Sequence, residues 1–175
     1  MTRAKLLALA ALSALAACSG TSTRQSVKFS RLSFEMPEDW SHKDTLLRGS
    51  ATSVWTPDDN VRKESVTVIR TIFAPAVAQA GSPALDSILA NAESSLPGAK
   101  AMPVAPFLTR SGLPGARIDV EYVPPGQRER YHRVHVVLVD HERSSLIHVL
   151  YTARTPDAEL SVLDTVLATI REGEG

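Results

Sequence analysis

Along residues 27–36 apolar side chains fall at 27 and 29, then at 32, 34 and 36. Period two marks a strand, and the slip between Phe29 and Leu32 marks a tight turn or a bulge. Pro37-Glu38-Asp39 then interrupts the strand before Trp40. Short strands are predicted over 43–49 and 51–56, and Pro57-Asp58-Asp59-Asn60 is a turn. Residues 65–73, rich in Val, Ile and Thr, read as a further strand.

The period then changes. Leu85, Ile88, Leu89, Ala92 and Leu96 recur at helical spacing, which predicts an amphipathic helix over 83–96. Ser82 is its expected cap, Pro83 suits a first position that has no N–H to lose, and Pro97-Gly98 ends it. Strands follow over 102–109, 116–123, 129–139 and 145–153. A last helix is expected over 156–171, capped by Thr155 and burying Leu160, Leu163, Leu167 and Ile170. Short turns join most strands. The chain therefore reads as an α+β fold, a mostly antiparallel sheet with two amphipathic helices packed on it.

One hairpin is legible residue by residue. A turn centred on Glu142-Arg143 pairs Val134 with Tyr151, Val136 with Val149 and Leu138 with Ile147. That face is apolar and belongs to the core. The other carries Tyr131, Arg133, His135, His148, Thr152 and Arg154, so full burial is expected of one face alone.

The N-terminus has a different logic. Arg3 and Lys5 precede the Leu/Ala run of residues 6–17, which only Ser13 interrupts. As a helix at roughly 1.5 Å per residue, this run falls short of a bilayer core of roughly 30 Å. A positive start, a short apolar stretch and small residues at its end read as a cleaved export signal, residues 1–17. Leu15-Ala16-Ala17-Cys18 looks like a bacterial lipobox. That resemblance implies cleavage before Cys18, lipidation of its sulfur by diacylglyceryl and often acylation of its amine. Two or more chains anchor stably where one does not. Ser19, in place of Asp, fits the outer membrane if the cell has two. Residues 18–26 read as the lipidated Cys and a polar tether, and 27–175 as one domain.

Removing Arg3 and Lys5 from 19 basic residues leaves 17 against 19 acidic, a net charge of −2. This balance gives no electrostatic case for nucleic acid or for an anionic membrane. Cys18 is the sole cysteine, so no disulfide is available and stability must come from packing.

The segment Phe34-Glu35-Met36-Pro37-Glu38-Asp39-Trp40 resembles the opening of the PsbP/Mog1/DcrB-like superfamily, an apolar strand, "P-x-x-W" and a following strand. A last strand near 146–153 and Thr155-Pro156 opening a final helix are similar to how those domains close. The resemblance spans most of 27–171. It implies a PsbP/Mog1-like fold. Members serve as photosystem accessory proteins, nuclear transport cofactors and bacterial envelope lipoproteins, mostly without catalysis. No functional residue transfers by motif, and fold alone does not fix function.

Candidate chemistry is sparse. His132 and His135 form H-x-x-H, but on a strand they face opposite ways. His135 and His148 share a face as diagonal neighbours, without an evident third metal ligand. There is no G-x-S-x-G elbow, and Asp140-His141-Glu142 cannot converge on one substrate atom. Asp58-Asp59 reads as a turn pair. Gly112-Leu113-Pro114-Gly115 is a turn rather than a phosphate cradle. Arg128, Arg130, Arg133 and Tyr131 cluster near the start of a strand. Such a group could contact phosphate or an acidic glycan, and the commoner explanation is an edge strand guarded by charge.

No cofactor, metal or catalytic set is expected. The chain reads as a monomeric, lipid-anchored binding or assembly accessory of the cell envelope. The alternative is a small-ligand-binding or hydrolytic envelope domain. Tyr131, Arg133, His135 and Arg154 combine aromatic and guanidinium groups and are the expected surface for an envelope protein partner.

Overall fold

The computed structural model describes residues 23–47, 49–59, 61–72, 83–155 and 158–173. The expected export signal, Cys18 and residues 19–22 lie outside them. Strand β1 (Arg24–Phe29) pairs antiparallel with β2 (Leu32–Pro37). The slip in the apolar pattern is the two-residue turn Ser30-Arg31, both residues left-handed at φ 47° and 67°. A primed turn of this kind matches the twist of the strands it joins. The strand begins three residues inside the expected tether. Gln25 holds it there, its amide donating to the Pro37 and Trp40 carbonyls at 3.0 and 3.1 Å.

A larger sheet follows. β3 (Trp40–Leu47), β4 (Ser50–Pro57) and β5 (Glu64–Ile72) form a meander. Helix α1 (Pro83–Ser94) precedes β6 (Lys100–Ala101), β7 (Ala105–Leu108), β8 (Pro114–Tyr122), β9 (Tyr131–Asp140) and β10 (Ser145–Arg154). The strand order is β3-β4-β5-β10-β9-β8-β6, with β7 also on β8, and every pairing is antiparallel. The strand expected over 102–109 is split into β6 and β7 around Pro103, which lacks the N–H needed to continue a ladder. Arg128 and Arg130 precede β9, which is an interior strand rather than an edge.

Helix α2 spans Ser161–Thr169, shorter than expected. Its N-cap is Leu160, with no side-chain cap bond. Thr155, the residue just after β10, donates its N–H to the Arg130 carbonyl at 2.8 Å. Of the predicted stripe, Leu163, Leu167 and Ile170 are buried, joined by Val166, while Leu160 is only partly buried. After α2 comes β11 (Arg171–Glu172), which pairs with β2 where helix was expected to continue. Two helices on a mostly antiparallel sheet make an α+β fold.

The β9–β10 register is the predicted one, Val134 on Tyr151, Val136 on Val149 and Leu138 on Ile147. The expectation of a single buried face is overturned. One face of the large sheet forms a core with β1, β2 and α2, including Trp40, Trp55, Val134, Val136, Tyr151 and Leu163. The opposite face forms a second core under α1, where Leu85 and Leu89 meet Ile118, Val120, Val137, Val139 and Leu146. Burial therefore runs unbroken from Val134 to Asp140, because β9 is covered on both sides.

Candidate functional site

Helix α1 brings an unexpected charge to the sheet. Leu85 and Leu89, four residues apart, are fully buried, and the next position of that row is Glu93, 1% exposed. Ala92, expected on the inner face, is exposed. Under the helix, β9 presents His135, 5% exposed. Glu93 Oε1 accepts from His135 Nδ1 at 2.8 Å. His135 Nε2 meets His148 Nδ1 at 3.0 Å, with the two rings 5.3 Å apart. One proton at a time can occupy that nitrogen–nitrogen contact. Burial and the neighbouring His135 push the His148 imidazole down to about 4.

Arg133 closes the other side. Its guanidinium is 3.6 Å from Glu93 Oε2. It also donates to the Tyr122 hydroxyl and to Thr152 Oγ1, both at 3.3 Å. It sits 5.0 Å from the Tyr122 ring centre, and Tyr131 lies 6.1 Å beyond. Glu93, His135, His148 and Arg133 thus form one line of mutually engaged groups. With both its ring nitrogens occupied, His135 is a brace between helix and sheet.

The four expected partner residues all lie on this α1 side of β9 and β10, and Arg154 pairs with Tyr131 in register. Tyr131, Arg133 and Arg154 are partly exposed, whereas His135 is buried. Direct contact with a partner is therefore open to the first three only. Arg154 also reaches Glu129 at 3.3 Å.

Two further ionic groups are structural. On the opposite face Arg117 grips Asp119 with two bonds of 2.7 and 2.9 Å, and His132 adds a third at 3.2 Å. Burial pushes the Asp119 carboxyl up, but these partners outweigh it and hold it well below the usual range. His132 and His135 accordingly serve different cores, as the strand spacing predicts. Near the start of β5, Arg62 joins Asp39 and Asp59, and Tyr151 places its hydroxyl 3.0 Å from Glu64 and 2.9 Å from the Glu159 carbonyl.

The remaining motifs shape turns. Asp59 accepts the N–H groups of Val61 and Arg62. Asp140 accepts from the Arg143 N–H and the Ser145 hydroxyl. Among the described residues no group of three or more His, Cys, Asp or Glu side chains is placed to hold a metal ion.

Glu93 is the residue the sequence reading missed. The signal was present, since positions 85, 89 and 93 form an i, i+4 row. A carboxylate ending an apolar row demands a buried partner.

No protein-family model matches the chain, and no curated protein matches its sequence. Solved structures do match. The cyanobacterial PsbP (CyanoP) of Synechocystis sp. PCC 6803 superposes with a TM-score of 0.60 at 17% identity, over 90% of this chain and 98% of that one. The Ran-binding protein Mog1p of Saccharomyces cerevisiae superposes with a TM-score of 0.57 at 7% identity, over 87% and 96%. The fold is therefore PsbP/Mog1-like, and at these identities the likeness concerns the fold.

Proposed function

We propose that the chain is a lipid-anchored extracytoplasmic accessory that acts by binding an envelope protein rather than by catalysis. The observation that carries the anchoring is the sole cysteine, placed after Leu15-Ala16-Ala17 at the end of a short apolar run. β1 starts only six residues later, which leaves room for a short tether. The binding role is supported by the α1-side network, whose charged groups are spent on one another and brace the fold. The fold it shares with a Ran-binding protein fits the same reading. The partner surface would be formed by Tyr131, Arg133 and Arg154, with His135 supporting it from below.

Growth with a radioactive fatty acid tests the anchor. The wild-type chain should be labelled and found with the membranes, of the outer membrane where there are two. Cys18→Ala should be unlabelled and remain an uncleaved or mislocalised precursor. Equal labelling of the two proteins would sink the lipoprotein reading. Crosslinking in native envelopes, followed by capture of the chain, tests the binding role, and a chain that crosslinks to no protein would contradict it.

A further inference from the structure

We propose that the outer face of the β1–β2 hairpin, extended by Arg110 and Arg171, docks on an anionic phospholipid surface. The inference rests on the reading of Cys18 as the lipid anchor. The hairpin buries Val27, Phe29, Leu32, Phe34 and Met36 on one side. Its other side shows Arg24, Ser26 and Lys28 to solvent. Along that side run two adjoining clefts of 360 and 690 Å³ that share Ser26, Ser33 and Arg171. Lys28, Arg31, Arg110 and Arg171, all exposed, line them.

Among the described residues the cations on this face outnumber the carboxylates. Two carboxylates among the described residues line the clefts, and each is already engaged: Glu35 with Arg24 at 3.5 Å, and Glu172 with Arg143. Among the described residues Lys28, Arg31 and Arg110 make no ion pair, and Arg171 spends one bond on the Ser33 hydroxyl. Arg62, Arg117 and Arg133, by contrast, each face a carboxylate. Net charge averages over the whole surface and does not register that Lys28, Arg31, Arg110 and Arg171 lie together along these clefts. The face is also held in shape. The Ser30-Arg31 turn is fixed to the segment after β11 by the Gly173 N–H, which donates to the Arg31 carbonyl at 2.7 Å.

The occupant follows from where the chain leads. Between Cys18 and Arg24 five residues span at most about 20 Å. A lipid on Cys18 thus keeps the start of β1 within a few Debye lengths of the headgroups, each about 8 Å at physiological salt. Tethering of this kind gives even weak contacts a millimolar-range effective concentration. Guanidinium forks and an ammonium match phosphate oxygens, and each such cation near an anionic bilayer adds roughly a fivefold factor to partitioning. The surface would hold β1 along the membrane and leave the α1 side, with Tyr131 and Arg154, free.

The test uses the chain from residue 18 with Cys18→Ser, so that no lipid contributes. It is sedimented with vesicles of phosphatidylcholine containing about one quarter phosphatidylglycerol, in low salt. Binding should exceed that to pure phosphatidylcholine, and about 0.5 M salt should abolish it. Lys28→Gln, Arg31→Gln, Arg110→Gln and Arg171→Gln together should lower partitioning by roughly tenfold or more. A control removes four exposed cations elsewhere, Lys43, Lys100, Arg128 and Arg130, and should retain most of it. Thermal melts verify that both variants stay folded. Equal binding to the two vesicle types, or equal loss in the two variants, overturns the proposal. Because this chain is unlipidated, a failure here is separate from a failure of fatty-acid labelling.

Discussion

Glu93 and His135, 42 residues apart in the chain, meet at 2.8 Å and fasten α1 to the sheet. A buried carboxylate is tolerated because His135 and Arg133 both face it. Removing one member of such a set leaves the others uncompensated, at a typical cost of about 3–5 kcal/mol. Glu93→Ala should lower stability by that order in urea unfolding. Glu93→Gln, which keeps an acceptor for His135, should cost distinctly less. Similar losses for both would mean that packing, rather than the bond, holds the helix.

The same line makes stability depend on pH. His148 is held at about 4 in the folded chain, against 6.5 for a free imidazole. Above 6.5 both states are neutral at this residue and nothing is lost. Between 6.5 and 4 the unfolded chain takes up a proton that the folded chain resists, so stability falls as pH falls, by at most about 1.4 kcal/mol per unit. Urea midpoints should therefore drop from pH 6.5 to 4.5, and His148→Gln should flatten this part of the profile. An unchanged profile in the variant would assign the acid sensitivity to other groups.

How much of this was legible depends on distance along the chain. The β9–β10 register was readable because one short turn fixes it, and the period of two then places every side chain. The apolar stripe of α2 was readable for the same local reason. Its true start at Ser161 was not, because Thr155 looks like a cap but is bonded to Arg130, 25 residues earlier. The second core was hidden as well. His135 and Arg133 read as surface because their neutralising partner, Glu93, lies on a helix far away in sequence. The basic clefts needed the return of β11 to β2, which joins the two ends of the described chain.

Gly115 occupies a point of close approach between β8 and β9. A Cβ there would lie 2.1 Å from the Val137 carbonyl oxygen, a backbone atom that cannot swing aside. Gly115→Ala must push the strands apart where Gly115 faces Leu138. Overpacking of this kind costs about 1–3 kcal/mol. Denaturant unfolding should show that loss, and amide exchange should quicken at the start of β8. A variant as stable as wild type would show that the two strands separate without cost.

The partner surface can be separated from the brace beneath it. Arg133 is unsuitable as a probe because its guanidinium supports Glu93, so its removal disturbs the fold as well as any interface. Tyr131 and Arg154 are partly exposed, face each other across β9 and β10, and lie outside the buried line. Tyr131→Ala combined with Arg154→Ala should keep stability within about 1 kcal/mol, as expected away from a core. If this face binds an envelope protein, the crosslinked species seen with wild type should be lost from the double variant, because aromatic and guanidinium groups carry much of the energy at interfaces. A chain that keeps both its stability and its crosslinked partner would place the interface elsewhere. The exposed cations of the β1–β2 face provide the contrast: neutralising them should weaken contact with lipid and leave this crosslink in place.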